Sequence, residues 1–321
     1  MMTSDVVVGV KPTWKKIIDF PLVALVIAVL CLMLANLVAP MVIGFLAGLA
    51  GEPQITRERV QELLTGTYLI PAAIIEVIAS VVIYKLVIRR LGDNPHDDLP
   101  LAGAVRDGGH GLLAGAVIFS IIVGIAALLG VYHITSGGDW SSFTYSLVAM
   151  GLMPGFREEL LFRGVLFRFL EDFGGSWVAL FLTSALFGLA HLGNDKATYF
   201  SSFAIAVEAG LLLGAVYMLT RSLWMAMGLH AAWNFTQGFI WDVNVSGFEA
   251  DGIVTARLDG PVYLSGGGFG LEASVIALVC ATALGLFYLR LAIRRGHLVQ
   301  PWWVGRRIAR DNVSVPSTAE A

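Results

Sequence analysis

Long apolar runs alternate with short polar connections along this chain, and the runs are too long for the interior of a soluble domain. A helix needs about 20 apolar residues to cross a bilayer. Runs of that order lie at 17–46, 67–88, 111–134, 144–168, 176–193, 197–219, 222–241 and 270–291. The pattern predicts an all-α fold, a polytopic transmembrane helical bundle of about eight spans. Lys11, Lys15 and Lys16 precede the first run as in a secretory signal, but a signal core has only about 7–15 residues. That run is expected to stay as an anchor, bent near Pro40.

The connections suggest the organisation. Segment 89–110 is charged and contains Pro and Gly, and it reads as a connector between the first two spans and the rest. In 243–269, the alternation of "IVTARLDGPVYLSGGG" around Asp259-Gly260 predicts a small hairpin that could cover a cavity, although Pro261 opposes it. The division is then 1–110, a two-span extension with its inner loop; 111–293, the core, with spans 4–7 at its centre; and 294–321, a basic tail. Trp302 and Trp303 beside Arg306 and Arg307 suit an interfacial anchor on membrane lipid.

Composition agrees with a membrane protein: 57% of the 321 residues are hydrophobic, 14% are charged and mean hydropathy is +0.76. The net charge of -3 and the lack of a basic groove exclude nucleic acid as partner. Cys31 and Cys280 lie in apolar runs without zinc or disulfide spacing and read as packing residues. With the N-terminus inside, fifteen Lys and Arg fall on inner loops and four, Arg57, Arg59, Lys196 and Arg257, on outer ones. This asymmetry predicts a multi-pass protein of a prokaryotic plasma membrane with both termini cytoplasmic.

Against this background "FREELLFRGVLFRFL", residues 156–170, is anomalous, because ionisable groups at membrane depth are costly and mark function by default. Glu158 and Glu159 are neighbours and point about 100° apart on a helix, so they cannot share a task. Glu159 and Arg163, four apart with the acid first, make a favoured helical ion pair. Glu158 has no local counter-ion, the state of a general base or acid. A helix clamp would need only a pair, so the third charge argues for function.

Three further groups reach the same depth. His191 follows Phe187 by one turn in the fifth run, and His230 and Asn234 are four apart in the seventh. At 1.5 Å per residue, Glu158 lies about 15 Å from Arg168, His191 about 22 Å from Ser176, and His230 and Asn234 about 12 and 18 Å from Ser222. All fall in the middle third, where a carboxylate, two imidazoles and an amide imply a wet chamber. No serine or cysteine nucleophile stands beside a histidine. Two mechanisms stay open: Glu158 with His191 activating water while His230 and Asn234 hold the oxyanion, or Glu158, His191 and His230 ligating zinc. The metal-free version is favoured, so no cofactor is required; zinc is the alternative.

"EELLFR" (Glu158, Glu159, Arg163), "FGLAH" (Phe187, His191) and "HAAWN" (His230, Asn234), in this order on separate helices, closely resemble the CAAX-protease and bacteriocin-processing family of intramembrane proteases. The resemblance covers about residues 140–241 and implies a hydrolase acting on a membrane-associated peptide or a lipidated protein, many bacterial members being called metalloproteases. It also implies that Glu158 and His191 activate water, that His230 and Asn234 contact the oxyanion, and that Glu159, Arg163 and Phe187 support them. A proton-coupled transporter and a non-catalytic scaffold or immunity protein are the rival readings. Glu76 and Glu208, also at membrane depth, belong to none of these motifs; Glu208 is the better candidate for lining the chamber.

Overall fold

In the computed structural model, which describes residues 12–52, 55–92 and 95–304, the apolar runs are helical, as backbone that must satisfy its own hydrogen bonds in lipid requires. Among the described residues six stretches are long and apolar enough to cross a membrane: Pro21–Leu49, Leu69–Arg90, Ala104–Leu128, Phe143–His191, Tyr199–Thr220 and Val275–Arg294. Two physical reasons separate six from the eight runs of the sequence. The 49-residue stretch Phe143–His191 is broken at Gly175 (φ 80°, ψ 171°) and so holds the fourth and fifth runs. The seventh run is helical, as Leu223–Phe235 continued by a π-helical turn at Thr236–Ile240, but His230, Asn234 and Gln237 dilute its apolarity.

Breaks in the helices follow from local chemistry. The first run divides at Leu37 into Pro21–Asn36 and Val38–Leu49, one turn ahead of Pro40, whose ring offers no N–H to the carbonyl of Asn36. At the second break, a side chain on Gly175 would suffer twice, from its positive φ and from a carbonyl oxygen of Val299 only 2.8 Å away. The amide of Ser176 donates to that same oxygen (3.0 Å), which tucks the start of the tail beneath the kink. There Trp302 meets Phe20, and Trp303 meets Phe173, with ring centres 6.1 and 6.0 Å apart. Lys11, Arg306, Arg307 and Arg310 lie outside the described residues.

Small residues let the core helices close. A Cβ on Gly111 would stand 2.2 Å from the Met225 carbonyl oxygen, and one on Gly115 2.3 Å from that of Leu229. Ala104–Leu128 therefore rests on Leu223–Phe235 backbone to backbone, through a G-x-x-x-G spacing. The N-terminal helices share the main apolar core with the rest: Ala24 and Ala28 are buried with Phe167, Phe169 and Tyr217. Segment 89–110 connects, and it also ties. Fully buried Asp98 accepts from the hydroxyls of Tyr84 (2.5 Å) and Tyr217 (2.7 Å) and lies 3.3 Å from the Arg168 guanidinium.

The hairpin expected around Asp259-Gly260 does not form. Strand β2, Val254–Leu258, pairs instead with β1, Tyr132–Gly137, antiparallel in the register Tyr132↔Leu258 and Ile134↔Ala256, with a bulge after Ile134. Pro261 cannot donate to a returning strand, and the chain turns into the short helix Val262–Ser265. The alternation did mark a strand; its partner lies more than a hundred residues upstream.

Candidate active site

The helix Met153–Leu161 carries both glutamates and is bracketed by π-helical turns at Ser146–Leu152 and Phe162–Phe167. Such turns rotate the following side chains and recur at functional sites. The two carboxyls have separate environments, as their neighbouring positions demand. Glu159 is fully buried, whereas the Glu158 side chain is 30% exposed.

Glu159 and Arg163 form the expected ion pair, Oε1 to guanidinium 2.8 Å, with no solvent on either side chain. Arg163 also donates to the carbonyl oxygens of Ala209 (3.2 Å) and Gly210 (3.3 Å), and its guanidinium carbon lies 4.9 Å from the centre of the Phe187 ring. These contacts offset part of the cost of taking the charge out of water, although Nε of Arg163 and Oε2 of Glu159 are buried without hydrogen-bond partners. The sequence did not show that the same Oε1 of Glu159 lies 2.9 Å from Nδ1 of His230. Glu159 thus ties Arg163 and His230 together, and it fixes which edge of that imidazole is free.

The free edge, Nε2, stands 4.0 Å from Oε2 of Glu158. Glu158 has no counter-ion on its own helix, but the fold supplies a chargeable partner from a helix more than seventy residues later. His191 is oriented by its own helix: Nδ1 lies 2.7 Å from the carbonyl oxygen of Phe187, leaving Nε2 unengaged by it. The Phe187 ring contacts both histidines, with centroid separations of 4.7 and 6.1 Å. Asn234 donates through Nδ2 to the carbonyl oxygen of Met150 (3.0 Å), which keeps one of its amide hydrogens and its Oδ1 for another partner.

Glu158, His191, His230 and Asn234 line one cavity of about 410 Å³, which Tyr145 and Pro154 help to wall. Oε2 of Glu158 is buried without a hydrogen-bond partner, and the residue lines a space large enough for water and a peptide segment. Among the described residues no three His, Cys, Asp or Glu side chains converge in a metal-holding group, while the Nδ1 contact of His230 with Glu159 leaves Nε2 open and suits either mechanism.

Residues 140–236 match the family model described as Type II CAAX prenyl endopeptidase Rce1-like. This span is therefore similar to a peptidase family; it lies in an integral membrane protein and holds Glu158, Glu159, Arg163, Phe187, His191, His230 and Asn234. No curated protein and no solved structure matches the chain.

The two extra acids separate. Glu76 is bound by Arg157, Nε to Oε1 2.6 Å and Nη2 to Oε2 3.0 Å, and lines a different cavity. Glu208 lies in a π-helical turn, Ala206–Gly210, beside the candidate site. With Glu272 it borders a 30 Å³ void, of the order one water needs, that also touches His191, His230 and Asn234. Sequence reading missed Glu272, although an acid in the apolar approach to the last helix was the available signal.

Proposed function

We propose that this protein is an intramembrane endopeptidase that hydrolyses a peptide bond of a membrane-associated peptide or protein with directly activated water. One observation carries the reading: the four groups such chemistry needs border a single cavity although they come from three helices remote in sequence. Its core is the span 111–293, and the membrane is a prokaryotic plasma membrane with both termini cytoplasmic.

The chemistry follows from the bonds. Glu158, which lines the cavity with its side chain 30% exposed, takes a proton from a water held between its carboxyl and the Nε2 of His191, and the resulting hydroxide attacks the scissile carbonyl. Charge then develops on the carbonyl oxygen. Asn234 offers its remaining amide hydrogen, and His230, protonated on both nitrogens, donates through Nε2 while Nδ1–H donates to Glu159. Glu158 passes its proton to the departing amine, completing the exchange. Glu159 and Arg163 touch no substrate; the Glu159 carboxylate holds His230 and faces its charge, and Arg163 holds Glu159 in place.

Peptides released from whole membranes carrying either the native chain or Glu158→Gln test this reading. The set released only with Glu158 present should include new termini within or next to hydrophobic segments. Identical peptide sets from both would overturn it. No observation favours the transporter or scaffold reading.

A further inference from the structure

A second cavity, of about 480 Å³, opens beside the catalytic one, and the two share Tyr145, Ala149, Pro154 and Phe248 in their walls. Its far wall lies outside the matched residues 140–236. It is built by the N-terminal extension, from Asn36, Gln61, Thr65 and Glu76, and is closed by Arg157, the residue next to Glu158. Glu76 and Arg157 clasp each other across this joint, and the guanidinium is the open member, 52% exposed against 12% for the carboxylate.

A helical substrate cannot be hydrolysed as a helix, because its carbonyls are engaged and shielded; the segment around the scissile bond must unwind. Unwound backbone has N–H and C=O groups without partners, which a lipid environment cannot supply. An apolar chamber would therefore reject the extended segment. Amide, hydroxyl and ion-pair groups in a space that adjoins the cavity of Glu158 would accept it.

From this adjacency, and resting on the peptidase reading above, we infer that the N-terminal extension forms a substrate subsite: the antechamber between it and Arg157 takes the extended, polar flank of the polypeptide whose bond is cut. The extension is then a specificity element added to the protease core. The Glu76–Arg157 clasp holds the antechamber at a fixed distance from the catalytic carboxyl.

The test uses the full-length protein in lipid vesicles with a synthetic probe, a fluorescent peptide pool of one apolar span with a randomised polar flank. Ala73→Trp fills the antechamber from the Leu69–Leu86 helix; Thr65→Trp fills it from a solvent-exposed position where misfolding is not an issue. Val82→Trp, on a 46% exposed face of that same helix outside the cavity, is the control. In a Glu158→Gln background, peptide affinity should fall about ten-fold or more for both fillers and stay within two-fold for Val82→Trp; with Glu158 intact the same loss should appear in KM rather than kcat. Fillers that bind the pool as the control does, or a pool that binds none of the proteins, overturn the subsite. Binding that responds to the fillers without Glu158-dependent cleavage would instead overturn the peptidase reading and leave the subsite standing.

Discussion

At the scale of single residues, adjacent glutamates have opposite fates, and this separates stability from activity. Glu159 is buried against Arg163 and His230, so Arg163→Ala would strand its charge and should destabilise the protein by about 3–5 kcal/mol, read as a lowered Tm. Glu159→Gln keeps the shape but loosens the imidazole, and its rate should fall roughly 10²-fold with the fold intact. Much of this was legible in the sequence: the spacing gave the Glu159–Arg163 pair, and helical pitch gave the two faces. The link from Glu159 to His230 was not, because it joins helices whose relative rotation no local pattern encodes. Nor was the partnership of Glu76 with Arg157, since a charge inside an apolar run announces that it needs a partner without saying which.

Among the elements, close approach of backbones decides what can change. Gly115→Val would drive side-chain carbons into the Leu229 carbonyl and should prevent Ala104–Leu128 from seating; loss of a cooperative thermal transition is the expected reading. The β1–β2 ribbon depends on Asp242, whose carboxyl accepts from the amides of Gly252 (3.1 Å) and Ala256 (2.7 Å). Burial raises its pKa above 3.8, and those two amides pull it down less strongly. The folded form thus keeps this proton to higher pH than the unfolded chain does, so the group's contribution to stability declines as pH climbs from the ordinary aspartate value through the raised one. Asp242→Asn should show a smaller fall in Tm over that interval; an unchanged pH slope would rule the assignment out. Helix existence was readable throughout from run length. Strand pairing was not, because alternation identifies a strand but register and partner depend on contacts far apart in the chain.

In the whole molecule, four polar groups set deep in apolar helices meet at one cavity, while Asp98 with Arg168 and Glu76 with Arg157 form separate clusters. Depth along each helix predicted a common level for Glu158, His191, His230 and Asn234, and all four border one cavity. The antechamber was not foretold, since it depends on how the two extra helices dock. The proposed direct activation of water makes a plain demand on the intact protein: prolonged treatment with a zinc chelator should leave turnover unchanged and release no stoichiometric metal. Activity lost on chelation and restored by zinc would reverse that assignment.

The most direct test is turnover by purified protein. Native chain and Glu158→Gln, matched for thermal transition and vesicle insertion, are given one peptide from the set whose release needs Glu158, and the new termini are counted by mass spectrometry. Cleavage by the native chain with a loss of about 10²–10⁴-fold in the variant is the expected result. Equal cleavage by both proteins would contradict the role given to that carboxyl and, with it, the chemistry assigned to the chamber.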